Sequence, residues 1–294
     1  MNRNLISMCV CWCLVLLSAT ALVAQDRDWL CVGGDRGCGR YSSLKQIDRS
    51  NVEQLEVAWT YDAGGTIPGT PAYHETRRVH HTPIILDGVL YAIGGDMRVF
   101  ALDAASGELI WEHALGPDEE LAGPGAVVNR GLMHWRGDRI RYSAGSYLRA
   151  LDAKTGEPIR SFGNDGKVDL RAGLGRPIGT VGVAATAPGV VFENLVIMGS
   201  SVSESLPAAP GHIRAYDVQT GEMRWIFHTI PQPGAYGYDT WPPDAWAFLG
   251  GANSWSGMSL DRERGMVFFG TGSATYDFYG ANRHGDNLFA NSLV

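Results

Sequence analysis

Basic residues are scarce in this chain: 24 Lys and Arg stand against 31 Asp and Glu, a formal charge of −7 with a pI near 5.6. Nucleic acid or an anionic membrane surface is bound through clustered positive charge that displaces counterions, so neither partner is expected. Helical patterning is missing as well, because no stretch beyond the first apolar run keeps a helical period through three turns. Cysteine is rare, five in all, and Cys9, Cys11 and Cys13 lie inside that first run. Cys31 and Cys38 remain, either as a local disulfide or as two thiols, since Gly33, Gly34 and Gly37 around them impose no geometry. Disorder is excluded by composition: 45% of residues are hydrophobic and only 19% charged, enough for a substantial core.

The first run has the form of an export signal. Arg3 precedes an apolar stretch from Leu5 to Leu17, followed by small residues at Ala19-Thr20-Ala21 and again at Ala24. Residues 1–24 are therefore expected to be a signal peptide, with the mature chain starting near Gln25 and exported to the periplasm. The stretch is short for a membrane span; an uncleaved anchor, giving membrane association, is the alternative.

Glycine is abundant, 38 of 294 residues, and it punctuates short apolar runs in the manner of tight turns. Some of these glycines belong to a repeat. Ala101-Leu-Asp103-Ala-Ala-Ser-Gly107-Glu-Leu-Ile-Trp111 recurs as Ala150-Leu-Asp152-Ala-Lys-Thr-Gly156-Glu-Pro-Ile-Arg160 and as Ala215-Tyr-Asp217-Val-Gln-Thr-Gly221-Glu-Met-Arg-Trp225. In each copy the Asp carboxylate can accept from the amides of its own turn while the Gly takes the positive φ that reverses the chain. The Trp four residues on then lies on the outgoing strand, free to pack on a neighbouring unit. Alternating pairs such as Pro83–Ile93 precede each copy, so one unit carries about four short strands, the content of a β-propeller blade.

Trp59, in Leu55-Glu-Val-Ala-Trp-Thr-Tyr, matches the outgoing strand without its hairpin partner and is expected to complete the last blade of the ring. A fourth unit opens at Trp255 and reaches Val294 in mid-blade. The expected fold is all-β, a propeller truncated to about four blades, because closure of the ring is what removes sheet edges.

The repeat resembles the tryptophan-docking motif of the quinoprotein dehydrogenases, as do Gly33-Gly-Asp, Arg40-Tyr-Ser-Ser-Leu-Lys-Gln-Ile and Val57-Ala-Trp-Thr-Tyr near the start. The resemblance spans the mature chain. It implies an eight-bladed propeller holding pyrroloquinoline quinone (PQQ) and a calcium ion on its axis, with residues 25–294 as the N-terminal half of that domain.

Residue roles follow from matching strings. Asn129-Arg130-Gly131 resembles the string whose arginine pairs with PQQ, and a guanidinium fork suits a tricarboxylate. Thr186-Ala-Pro-Gly and Gly199-Ser-Ser201-Val-Ser-Glu204 resemble the segment in which a threonine and a serine line the quinone and an acidic residue ligates calcium. Glu204 would supply hard oxygen; an exposed loop glutamate is the plainer reading of the same residue. Trp255 falls where the family stacks a tryptophan on the quinone, although a core tryptophan is the alternative.

Two departures bear on the branch of the family. Gly270-Thr-Gly272 is followed by Ser273, a poorer metal ligand than the asparagine of the alcohol-oxidising branch. Pro124-Gly125-Ala126 stands where that branch carries adjacent cysteines. Both point to the glucose dehydrogenase branch, a sugar oxidoreductase passing electrons to a quinone or cytochrome c. Its catalytic base is expected beyond Val294, leaving this chain alone inactive. An alcohol dehydrogenase of the same fold is one alternative, and a non-catalytic scaffold of outer-membrane assembly is another. His80-His81 is left out of the site as a surface pair.

Overall fold

Each repeat closes a hairpin through the chemistry its residues suggest. In the computed structural model, which describes residues 28–34, 39–63, 79–116, 121, 126 and 128–294, Asp103 Oδ1 accepts from the amides of Ala105 and Ser106 at 3.0 and 2.8 Å. Asp152 and Asp217 repeat the pattern at 2.9 to 3.0 Å. The expected signal peptide and Cys38 lie outside the described residues.

Three four-stranded antiparallel sheets follow in chain order. The first contains β1 (Ile84–Leu86), β2 (Val89–Ile93), β3 (Val99–Asp103) and β4 (Leu109–His113), and the second β5 (Met133–Trp135), β6 (Arg139–Ala144), β7 (Tyr147–Asp152) and β8 (Lys167–Asp169). After β9 (Val183–Ala184), the third sheet takes β10 (Val190–Phe192) and β11 (Leu195–Met198). The chain then forms β12 (Ser201–Val202), which pairs with β9 as a separate ribbon, before β13 (Ile213–Asp217) and β14 (Met223–Phe227) finish the third sheet. A fourth sheet holds β15 (Met258–Asp261) and β16 (Met266–Phe269), and Phe269 exchanges two backbone hydrogen bonds with Val294. Among the described residues helix is limited to single turns, and no helix is long and apolar enough to cross a membrane.

Alternation within strands decides how the sheets stack. Successive side chains point to opposite faces, and here both faces are apolar. Leu151 joins a core with Ile84, Val99 and Ala101 of the first sheet, whereas its neighbours Leu148 and Ala150 join Val196, Met198 and Tyr216 of the third. Ile197, between Val196 and Met198, turns the other way onto Met258 and Phe269 of the fourth. Every inner sheet is thus buried on both sides, and the opening strands β5, β10 and β15 lie side by side. This is the partial propeller expected from the repeats.

The tryptophans key one sheet to the next. Trp111 packs its ring on Gly156 of the following turn and donates Nε1–H to Ala153 O at 2.9 Å; Trp59 does the same with Gly107 and Ala104 O at 3.3 Å. A Cβ on Gly156 would stand 2.5 Å from the Trp111 ring, and φ there is +73°, so only glycine fits both demands. The second repeat has Arg160 in the tryptophan position, and there Val168 covers Gly221 instead. Two buried arginines clamp that joint between the second and third sheets: Arg141 of β6 donates to Val218 O, and Arg214 of β13 to Leu170 O. Burial pushes Arg141 down to about 10, which leaves it charged at neutral pH.

Trp111→Ala should lower stability by about 3–5 kcal/mol, because that ring is 8% exposed in a joint between sheets. Trp225→Ala, at 38% exposure, should lower it by less than about 1 kcal/mol. Chemical denaturation of both variants checks the difference.

Candidate functional site

Asn129 fixes the entry to the site. Buried, it donates Nδ2–H to Ser143 O at 2.8 Å and accepts the Gly131 amide on Oδ1 at 2.7 Å, a local turn that leaves Arg130 projecting. The Arg130 amide donates to Thr186 O at 2.8 Å, and the Thr186 hydroxyl lies 3.5 Å from Trp255 O. Three segments distant in sequence are thereby tied together. The Arg130 guanidinium sits over the Trp255 ring, 5.3 Å from its centroid, a cation–π contact of about 0.5–1 kcal/mol. Its Nη1 is buried without an acceptor, an arrangement that a ligand oxygen would complete.

Trp255 also borders a cavity of about 270 Å³ lined by Ser201, Glu204, Asn253, Ser273 and Asp277 among others. The β9–β12 ribbon presents Ser201 opposite Ala184. Asn253 ties the walls together, donating Nδ2–H to Ser200 O at 2.8 Å and accepting the Gly272 amide at 2.9 Å. The close approach of these segments requires Gly199, whose Cβ would stand 2.1 Å from Ser254 O. The Asp277 amide donates to Glu204 O at 3.4 Å. Glu204 is exposed, Trp255 is half exposed, and the buried hydroxyls of Ser200 and Ser254 have no partner.

All six residues singled out in the sequence meet here. Ser201, Glu204, Trp255 and Ser273 line the cavity, while Arg130 and Thr186 reach Trp255 from its flank. Asn253, Asp277 and Arg283 were missed. Asn253 lies in Gly250-Gly-Ala-Asn-Ser before Trp255, and Asp277 and Arg283 lie in the stretch after Ser273, where no repeat or matched string singles them out.

Chemically, a broad aromatic face beside an unpaired guanidinium donor suits a planar anionic ligand. Glu204 offers carboxylate oxygen to a cation. Ser273 does not fit that role: its Oγ accepts from Arg283 Nη2 at 3.1 Å and donates to Asp277 O at 3.1 Å.

A family model described as "PQQ: Glucose/ethanol/alcohol dehydrogenase, beta-propeller domain" matches residues 29–294. The chain belongs to this PQQ dehydrogenase family. The quinohemoprotein alcohol dehydrogenase ADH-IIG of Pseudomonas putida is 33% identical over 93% of the chain and 37% of its own length. Methanol dehydrogenase [cytochrome c] subunit 1 of Paracoccus denitrificans is 29% identical over 100% of the chain and 49% of its own. The solved quinohemoprotein alcohol dehydrogenase of Comamonas testosteroni superposes with a TM-score of 0.73 at 29% identity, covering 94% of this chain and 42% of that one. The chain thus spans less than half the length of these relatives. These relatives are alcohol and methanol dehydrogenases by name, so they lend the expected glucose branch no support.

The excluded His80-His81 pair divides. His80 borders a second, larger hollow beside Arg130, of about 550 Å³. His81 is structural: its Nε2 accepts the Ile93 amide at 3.0 Å, and burial pulls its pKa down to about 4. The fold therefore holds this imidazole neutral. Its contribution is complete above the unfolded value of about 6.5 and is lost as pH falls through about 4. Wild-type stability should drop more steeply than that of His81→Gln between these limits, which denaturant titrations at stepped pH will measure.

Proposed function

We propose that this chain supplies the PQQ-holding wall of a dehydrogenase that oxidises an alcohol CH–OH group, in an exported, periplasmic protein. The observation that carries the proposal is Trp255, which takes the Arg130 guanidinium over its ring and shares a cavity with Glu204, although the three lie 74 and 51 residues apart in sequence. An assembly scaffold has no use for a guanidinium and a carboxylate gathered at one aromatic ring, so the convergence favours the enzyme.

When bound, PQQ is the electron sink for hydride leaving the carbinol carbon. The chain's own groups bind and orient. Arg130 Nη1, itself buried, would donate to a cofactor carboxylate in a charge-assisted bond. Trp255 covers the planar face, held by the Thr186 hydroxyl at its carbonyl and by the Asn253 bracket beside it. Ser201 contributes a hydroxyl to the rim. Glu204 is the residue of this chain suited to hold a cation there, and no residue of it is assigned as the base.

Alcohol is preferred to sugar because alcohol dehydrogenases are the relatives at 30–33% identity over nine-tenths of the chain. The acceptor is proposed as a quinone or a cytochrome.

Adding PQQ to the chain should quench Trp255 fluorescence, and Arg130→Met should weaken binding by about tenfold or more; unaltered affinity would remove Arg130 from the site. A protein carrying this chain and loaded with PQQ should reduce a dye faster with ethanol than with glucose. Faster reduction with glucose would restore the sugar reading.

A further inference from the structure

We propose that the fourth-sheet wall of the cavity is built against a metal cation, with Arg283 acting through Ser273 as the positioning residue. The inference rests on the reading of this cavity as the cofactor site.

A hydroxyl has one proton and two lone pairs. Ser273 gives its proton to Asp277 O and one lone pair to Arg283 Nη2. A metal ion on the remaining lone pair would share a single oxygen with a guanidinium, and like charges at that separation repel strongly. The asparagine of the family pattern would meet a metal with a free carbonyl oxygen; this serine meets it already committed.

The guanidinium is locked in place. Its Nη1 donates to Asn287 Oδ1 at 2.7 Å. Asn287 is buried, and its Nδ2 returns to Arg283 O at 2.9 Å and to Thr240 O at 3.3 Å, while its amide reaches Thr240 O at 3.0 Å. The Gly280 backbone closes one side, since a Cβ there would lie 3.8 Å from Arg283 Cζ. Nor is the charge neutralised: both hydrogen-bond acceptors of Arg283 are uncharged, and its buried Nε has none. A fixed positive charge therefore stands one hydrogen bond behind the cavity wall. Cation binding in this chain depends on Glu204, is indifferent to Ser273 and is opposed by Arg283.

Terbium titration of the chain, read by emission sensitised through tryptophan, tests this without turnover. Glu204→Gln should weaken binding by about tenfold or more; if it does not, the cavity is not the cation site and the reading of the site falls first. With that result in hand, Ser273→Ala should stay within about twofold of wild type and Arg283→Gln should tighten binding by about fivefold, whereas Arg283→Lys, which keeps the charge, should match wild type. Emission that appears only in Arg283→Gln also supports the proposal. Weaker binding in Ser273→Ala, or Arg283→Gln no tighter than wild type, overturns it. Should Arg283→Gln fail to give a cooperative melt, the Ser273→Ala result alone decides.

Discussion

Two-sided burial of short sheets is the constraint from which the rest of this structure follows. A strand such as β7 sends Leu151 into one core and Leu148 and Ala150 into another, so its sheet cannot end the stack on either face. Each sheet requires neighbours, and their opening strands are drawn alongside one another. Residues far apart in sequence then meet where β5, β10 and β15 lie together, which is how Arg130 comes to rest on Trp255.

The joints between sheets are keyed by local features. The Asp carboxylate orders its turn, the turn's glycine leaves room for a flat ring, and the tryptophan arriving from the preceding sheet donates to the turn's own carbonyl. Each key is made of neighbours in sequence plus one ring, and it forms at Gly107 and Gly156; at Gly265 the nearest ring is Phe192, and Trp225 stays 38% exposed. Where the string changes, as at Arg160, the packing changes with it. Buried Arg141 and Arg214 add fixed links between a strand and the carbonyls of the adjoining sheet; all three Arg141 nitrogens are bonded, which offsets its desolvation, whereas Arg214 Nε and Nη2 stay buried without a partner.

What was legible in the sequence divides along the same line. The blades and their turns could be read because Asp103 and Gly107 act within a few residues of each other, and the docking tryptophans because Trp111 recurs at a fixed spacing from that pair, although its ring meets Gly156 of the next turn. The six site residues could be named only through resemblance, since nothing local to Arg130 or Glu204 distinguishes them from loop residues. Arg141 and Arg214 were not legible, as an arginine inside an apolar strand gives no sign of the carbonyl it will find in the next sheet. The glucose branch was read from Ser273 and absent cysteines, both negative marks, and the relatives named above do not support it. Ser273 takes its meaning from Arg283 and Asp277, contacts that exist only once the loop over residues 276–291 has folded back.

The central claim is that one planar anionic cofactor touches Arg130 and Trp255 together. A crystal structure of the chain grown with PQQ tests it most directly. The account requires a flat ligand lying on the Trp255 ring with a carboxylate at Arg130 Nη1 and Glu204 at its edge. Density for the ligand elsewhere, or Trp255 and Arg130 both free of it, would contradict the account.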